Sequence, residues 1–277
     1  MAAGREMLGH WPGEFARLVL GGASTQLRVI HALVLRETKS RYGEHKMGFL
    51  WAFVEPMLMV GVMVVMFSII RHDRPGGMPL VPYMATGFLP FMVFRDTMQQ
   101  MVGAIVQNRS LLAFPQVTTF DVILAKALLE VAVLLVVFVV FIAVIALAGI
   151  EVRIERPLGV LGGLLMFALA GTGLGFILAS LTPIVPATRQ FASAVLGRPL
   201  FFTSGVFFTA DSIPAPAREI LLYNPLLHLS EFTRSAFFHE FETTHASWSY
   251  AFGWVAGLVS VGLVVHQALR KRAVVGI

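Results

Sequence analysis

The sequence contains no cysteine, and only 13% of its 277 residues are charged. The lack of cysteine excludes a disulfide framework and a thiolate metal site. The scarcity of charge is more informative, because a soluble domain carries about 25% charged residues. With 57% hydrophobic residues and a mean hydropathy of +0.78, the folded surface must face something other than water. We therefore expect an all-α integral membrane protein.

Long apolar stretches give the expected number of spans. A bilayer core about 30 Å thick requires about 20 apolar residues per helix, and six stretches in this chain are candidates. The second stretch is the weakest, since Arg95 and Asp96 interrupt it. The predicted transmembrane helices are residues 48–70, 82–106, 122–147, 158–181, 191–208 and 250–269, within a single polytopic domain over residues 1–277.

The distribution of Lys and Arg predicts the orientation. No long apolar segment precedes residue 48, so we expect an uncleaved first span. Twelve basic residues fall in the terminal segments and in the second-to-third and fourth-to-fifth loops, against six on the other side. The positive-inside rule therefore places both termini in the cytoplasm. No soluble basic face gathers these charges, which argues against a nucleic-acid partner.

Two segments outside the spans have features of their own. Residues 24–42 have the spacing of an amphipathic helix, with Ser24 as its N-cap, lying in the cytoplasmic interface. Residues 209–249 form the longest outer loop and are too apolar for a plain linker. We expect re-entrant half-helices here, one of them starting at Ser212 and stopping at Asn224.

Small residues spaced four apart predict close helix packing. The pairs are Gly159 with Gly163, Gly171 with Gly175, and Gly253 with Gly257.

The sequence lacks the motifs for ATP binding, zinc-dependent proteolysis and serine-protease catalysis. No lysine follows a glycine, so the chain has no phosphate-binding loop for ATP. His239 and Glu240 begin a zinc-protease pattern that fails because position 243 is Thr. Ser204 and His266 are expected near opposite faces of the bilayer, which excludes a serine-protease pair. We predict no catalytic residue, no metal site and no cofactor bound by this chain.

Charged residues inside the predicted spans are expensive and usually face the bundle interior. One interpretation is a polar conduit or gate that includes Glu55, Arg95 and Asp96. The alternative is local neutralisation, with Lys126 paired to Glu130 and Arg95 paired to Asp96 or Glu55.

Two motifs carry a resemblance to a known family. Residues 35–56 read LRETKSRYGEHKMGFLWAFVEP, and residues 223–238 read YNPLLHLSEFTRSAFF. The first resembles the entrance motif of the membrane subunits of type-2 ABC exporters that move bacterial cell-surface polysaccharides. The second resembles the last outer loop of these subunits, and most closely that of the group 2 capsular polysaccharide exporters. The Arg95–Asp96 pair belongs to neither motif.

The resemblance implies an export permease of the bacterial inner membrane. Two copies would form the pore, two separate ATPase subunits would bind ATP and Mg, and the substrate would be a lipid-linked acidic polysaccharide. Periplasmic and outer-membrane export proteins are implied as further partners. The alternatives are an O-antigen or teichoic-acid exporter permease, a polytopic membrane glycosyltransferase, and an ion-coupled secondary carrier.

The resemblance also implies two groups of site residues. The cytoplasmic gate and ATPase-coupling group is Arg36, Glu37, Lys39, Arg41, Tyr42, Asn108 and Arg109. The substrate-path candidates, which are aromatic or basic, are Arg198, Phe201, Phe207, Phe208 and Tyr223. The alternative role of these aromatic residues is anchoring at the outer interface or packing between helices.

Overall fold

The computed structural model describes residues 11–42, 46–70, 77–150 and 152–275. Residues 43–45 of the first motif, and Arg71 and Arg74 of the charge count, lie outside the described residues. The described part of the chain is helical, without a β-strand, as expected for an all-α membrane protein.

Eleven α-helices are numbered here in chain order. Their bounds are α1 Trp11–Tyr42, α2 Lys46–Ile70, α3 Leu80–Val102, α4 Ala104–Gln107, α5 Thr119–Leu147, α6 Pro157–Leu181, α7 Thr188–Phe191, α8 Arg198–Thr203, α9 Ala215–Leu221, α10 Pro225–Phe237 and α11 Trp248–Val275. A π-helical turn, Ala192–Gly197, joins α7 to α8.

Four helices are long and apolar enough to cross a membrane: α2, α5, α6 and α11. They confirm four of the predicted spans as helices of spanning length. The second predicted span corresponds to α3, which is 23 residues long but carries polar residues and lies mostly in the core. The fifth corresponds to α7 and α8, and its last helix ends at Thr203 rather than continuing to residue 208. The count of six spans stays a prediction.

Helix α6 lies at the centre of the bundle and packs against α3, α10 and α11. In its most apolar stretch 67% of residues are buried, against 11% in α2. Glycine allows this close packing, because a Cβ on Gly163 would overlap Thr233 of α10 and one on Gly171 would overlap the Phe94 carbonyl of α3. The predicted packing role is thus confirmed for α6. A Cβ on Gly253 or Gly257 of α11 would meet nothing within 4 Å.

Helix α1 begins well before the predicted start at residue 24. The prediction of Ser24 as N-cap is therefore wrong. Its hydroxyl donates to the Gly21 carbonyl at 2.9 Å, inside the helix. Serine bonds readily to a carbonyl one turn earlier, so a serine alone does not mark a helix start.

Two ends of the bundle are distinguished below. The α1 end carries α1, residues 103–118 and the last turn of α11, where Thr119 and Arg270 line one cavity. The α10 end carries residues 204–247 and the start of α6, where the Arg156 amide donates to Ala236.

Residues 209–249 contain two short helices, α9 and α10, and their re-entry into the membrane stays a prediction. The predicted bounds at Ser212 and Asn224 are wrong, because α9 begins at Ala215 and ends at Leu221, and Ser212 lies in a separate 3-10 turn. Asn224 instead caps α10, since its side chain accepts from the Leu226 amide at 3.0 Å.

Candidate functional site

Polar contacts fasten α1 along the first half of α5. Three side chains of α1 contribute, and each has its own partner on α5. The pairs are Gln26 with Asp121 at 3.0 Å, Glu37 with Lys126 at 2.7 Å, and Arg41 with Glu130. Since a hydrogen bond to a charged group stabilises by about 1.5–3 kcal/mol, these contacts fix the position of α1 against the bundle.

Lys126 connects three helices. Its side chain is 7% exposed, and its ammonium group donates to Glu37 of α1 and to the Gln107 side chain of α4, at 2.7 and 2.9 Å. The predicted local pair of Lys126 with Glu130 is therefore wrong. Lys126 and Glu130 are neighbours on one face of α5, but Lys126 binds Glu37 and Gln107, and Glu130 binds Arg41. The two charges hold α1 in place instead of neutralising each other.

Glu130 is the buried acid of the ion pair nearest the end of α1, and its side chain is 4% exposed. It lies about three turns beyond the start of α5. Arg41, one third exposed, forms the ion pair with it. Removal of the Arg41 side chain would leave the buried Glu130 carboxylate without a partner, which is destabilising. Removal of the Glu130 side chain would cost less, because the Arg41 guanidinium is partly exposed to solvent.

Arg36 links α1 to the connection between α3 and α5. Its guanidinium donates to the Asn108 side-chain oxygen at 2.9 Å. Asn108 is buried and donates in turn to the Ala104 carbonyl at 3.0 Å. Arg36 and Asn108 therefore connect α1 to α4 as well as to the loop that follows it.

The remaining gate candidates lie around these contacts. Tyr42 is half-buried, with the Arg41 guanidinium 5.5 Å from its ring centre. Lys39 and Arg109 are exposed. Of the seven predicted gate residues, the structure thus places Arg36, Glu37, Arg41 and Asn108 in direct contacts between elements, and it presents Lys39 and Arg109 on the surface.

The charged residues predicted within spans have different environments. Arg95 pairs with Asp96 at 2.7 Å, as one of the sequence interpretations expected, and not with Glu55. Glu55 is exposed on α2. It forms no hydrogen bond or ion pair with any residue that the structure describes.

The second motif folds around a buried arginine at the α10 end. Arg234 is fully buried and stacks over the Tyr83 ring at 4.3 Å. It donates to three backbone carbonyls just beyond α8, those of Gly205 at 2.6 Å, Val206 at 3.0 Å and Phe208 at 2.9 Å. These three hydrogen bonds hold residues 205–208, the segment between α8 and α9, against α10.

Other polar residues of the same motif hold the segments around it. The buried Glu231 carboxylate accepts from the Ala210 amide and from Thr243, both at 3.1 Å. His228 accepts from the Ser247 amide through Nδ1 at 2.9 Å and donates from Nε2 to the Leu222 carbonyl at 2.8 Å, so its ring is neutral. The motif therefore organises the loops of the α10 end.

Two of the substrate-path candidates form an aromatic cluster between α2, α3 and α8. The Phe201 ring lies 5.3 Å from Phe91 and 5.0 Å from Phe207, and Phe207 stacks on Phe67 of α2 at 5.6 Å. Both are half-buried. The cluster fixes α8 against α3 and leaves only part of each ring accessible.

The other path candidates lie around this cluster. Phe208 is half-buried, and its carbonyl accepts a hydrogen bond from Arg234. Arg198 and Tyr223 are exposed. Tyr223 is 78% exposed, at the end of α9. The five candidates therefore share one region, but they do not line a single closed cavity.

Ser204 and His266 lie at opposite ends of the bundle, as expected. Ser204 accepts from Asn224 at the α10 end. His266 bonds to Ser180 at 2.9 Å and to Thr119 at 3.3 Å at the α1 end. Among the described residues there is also no group of three His, Asp or Glu that could hold a metal ion.

Sequence reasoning missed the partners of α1 on α5 and the central role of Arg234. Lys126 and Glu130 were visible as charges in an apolar helix, but their spacing suggested each other as partners. The useful signal was the presence of these charges in a helix as apolar as α5, beside a helix α1 that is rich in charge: an apolar helix retains buried charges where another helix supplies their partners. Glu231 and Arg234 gave a similar signal, as two charges in an otherwise apolar segment.

These features define a polytopic membrane protein whose N-terminal helix α1 is held against α5 by ionic contacts. The chain belongs to the ABC-2 type transporter family, whose model matches residues 28–238.

Three curated relatives are similar over most of the chain. The capsule polysaccharide export inner-membrane protein BexB of Haemophilus influenzae is 32% identical, over 89% of this chain and 92% of its own length. The capsule polysaccharide export inner-membrane protein CtrC of Neisseria meningitidis is 36% identical, over 77% of this chain and 80% of its own. The polysialic acid transport protein KpsM of Escherichia coli is 27% identical, over 90% and 96%.

Proposed function

We propose that this chain is the membrane-spanning subunit of an ATP-driven exporter that moves lipid-linked capsular polysaccharide across the bacterial inner membrane. The observation that carries the proposal is the similarity, over most of both chains, to relatives named for capsule polysaccharide export and polysialic acid transport. The family explains the helical membrane architecture. The acidic polysaccharide is the substrate class that these names favour.

The proposed exporter contains two copies of this chain and two ATPase subunits. The chain lacks a phosphate-binding loop, so ATP and Mg would bind to the separate ATPase. Both termini would lie in the cytoplasm, with the α1 end facing the ATPase and the α10 end facing outward. Periplasmic and outer-membrane proteins would carry the polymer onward.

The contacts of α1 support a route for coupling. An ATPase that pushes on the α1 end would meet the exposed side chains of Lys39 and Arg109 first. Displacement of α1 would then be transmitted through Glu37 and Arg41 to α5. Packed interfaces switch between discrete arrangements rather than deform smoothly. We therefore expect these ion pairs to hold α1 in one of two positions on α5, between which ATP hydrolysis would move it.

The aromatic cluster supports a route for the polymer. Sugar rings present apolar faces that pack on aromatic side chains, and Phe201 and Phe207 are partly accessible. Arg198 adds a positive charge nearby, which would attract acidic groups of the glycan. Phe208 and Tyr223 would extend the same surface toward the outer side.

The decisive experiment uses the chain with its own ATPase in proteoliposomes. We expect ATP-dependent movement of lipid-linked capsular polymer, and neither ATPase nor glycosyltransferase activity from the purified chain alone. Transport driven by a proton gradient without ATP would favour a secondary carrier. Sugar transfer by the chain alone would favour an enzyme. Transport of O-antigen or teichoic acid in preference to capsular polymer would favour the exporters of those glycans.

A further inference from the structure

Two helices of the bundle each carry an exposed charge within an apolar stretch. Glu55 lies on α2, next to Trp51 and Leu58, whose side chains are 60% and 56% exposed. Arg198 is the first residue of α8 and is also exposed. Among the residues that the structure describes, neither has a hydrogen-bond or ion-pair partner. An unpaired charge facing lipid is costly, so such residues normally face a partner or a water-filled path.

The two charges lie at comparable depth. Helix α2 begins at Lys46, and Glu55 follows it by about 14 Å along the axis. Helix α7 begins at Thr188, and Arg198 follows it by about 15 Å at most. Both helices start at the α1 end. Helix α2 directly follows α1 in the chain. Arg189 of α7 lies beside Gly103, which belongs to the α1 end, since a Cβ on Gly103 would approach the Arg189 side chain at 3.4 Å.

The two charges also belong to the same side of the chain. The stacking of Phe67 on Phe207, and of Phe207 against Phe201, brings α2 and α8 together beside α3. A two-fold axis next to this side would bring Glu55 of each copy toward Arg198 of the other. Such an interface is self-complementary, so the same pair forms twice.

We propose that Glu55 of one copy forms an ion pair with Arg198 of a second copy of this chain, and that the two symmetric pairs fix the seam between the copies. The occupant of this face is thus a second copy. The pairing rests on the proposed two-copy pore and makes it more specific. Arg198 remains at the wall of the proposed path, and Glu55 of the second copy sets its position and offsets its charge.

Site-directed cross-linking tests the pairing, and the natural absence of cysteine removes background. Two differently tagged copies are co-expressed, one carrying Glu55→Cys and the other Arg198→Cys. Since a Glu–Arg pair separates the two Cα atoms by more than a disulfide spans, a short bifunctional thiol reagent is used on membranes. We expect a product that carries both tags. A matched combination of Glu55→Cys with Val264→Cys, a residue 68% exposed on α11, should give none.

Charge exchange distinguishes pairing from two independent roles. Glu55→Arg alone and Arg198→Glu alone place like charges together, and we expect each to lower the yield of the two-copy complex about tenfold or more. The double variant restores the pair with reversed polarity and should recover that yield, measured by co-purification of the two tagged copies. Export is not the readout here, because Arg198→Glu also removes the positive charge from the wall of the proposed path. All variants are compared at equal membrane levels of protein.

Two results would overturn the pairing: no cross-link between positions 55 and 198, or no recovery of the two-copy complex in the double variant. If the purified complex still contains two copies and an ATPase and still exports polymer, only the pairing fails. If it contains a single copy, or no ATPase, the proposed function fails with it.

Discussion

Arg41, next to the last residue of α1, forms an ion pair with Glu130, which lies about 16 Å along α5 from its first residue. The charged contact therefore lies about three turns into α5, a helix long and apolar enough to cross a membrane. Helix α1 cannot move away from α5 without changing the environment of a buried carboxylate. We therefore expect Arg41 to contribute more to the stability of the chain than the exposed Lys39 does.

Neutralising Arg41 should therefore destabilise the chain more than neutralising Lys39. Arg41→Gln leaves the Glu130 carboxylate buried without its cation, which costs about 1–3 kcal/mol. Lys39 is exposed, so Lys39→Gln should change stability by less than about 0.5 kcal/mol. Thermal unfolding of the detergent-purified chain measures both. An equal loss in the two variants would show that the Arg41–Glu130 pair does not stabilise the position of α1.

Lys126→Met should uncouple ATP hydrolysis from export. The variant keeps most of the side-chain volume but removes the donors to Glu37 and Gln107. Coupling energies of about 1–3 kcal/mol correspond to about 5- to 150-fold effects, so we expect export to fall within that range. The ATPase activity of the complex should persist. The measurement is ATP hydrolysed per polymer exported, in proteoliposomes.

The matched control for this experiment is Lys271→Met, which removes an exposed lysine from α11. Lys126→Arg keeps the charge and should retain most export. Full export by Lys126→Met at a normal protein level would remove Lys126 from the coupling route.

Replacing Arg234 should disrupt the α10 end. Arg234→Met removes three hydrogen bonds to the carbonyls of residues 205, 206 and 208 and leaves the first two of these carbonyls buried without this donor. At about 1–3 kcal/mol for each unsatisfied group, the variant should accumulate poorly. Limited proteolysis should cut near residues 204–209. Arg153→Met, at an exposed site of the same end, is the control, and identical proteolysis of the two variants would contradict this role.

A pair of glycine substitutions tests the packing of α6. Gly163→Ala places a methyl group against Thr233, and overpacking of this kind costs about 1–3 kcal/mol. Gly253→Ala adds the same group where nothing lies within 4 Å. The unfolding midpoint of the first variant should fall, while that of the second should not. Equal midpoints would mean that α6 and α10 are less tightly packed than the structure shows.

Four spanning helices could be predicted from sequence because their signal is local. Runs of about 20 apolar residues define a span without knowledge of its neighbours. Helix α3 was harder, since Arg95 and Asp96 lower its hydropathy and its stability depends on burial among other helices. The interruption of the fifth predicted span by a π-helical turn at 192–197 has no comparable signal in the sequence.

The candidate site could be predicted as a set of segments but not as a set of contacts. The first motif placed Arg36 and Arg41 at the gate, and the structure gives both of them partners in other elements. Those partners are about 70 to 90 residues away in sequence, and nothing in a single sequence pairs them. Lys126 and Glu130 show the consequence, because their spacing pointed to each other whereas their partners lie on other helices.

The orientation of the chain is the last prediction, and the absence of natural cysteine makes it directly testable. The excess of basic residues at the termini predicts that the α1 end is cytoplasmic and that residues 209–249 face outward. Glu242 and Lys271 are exposed at opposite ends of the bundle, so Glu242→Cys and Lys271→Cys provide one probe at each end. A membrane-impermeant maleimide added to spheroplasts should label position 242, and should label position 271 only after permeabilisation. Both variants should label fully in detergent, which shows that each thiol is accessible in the folded chain. Labelling of position 271 in intact spheroplasts, with position 242 protected, would reverse the orientation. That result would also place the ion-paired contacts of α1 on the side of the membrane where no ATPase could reach them.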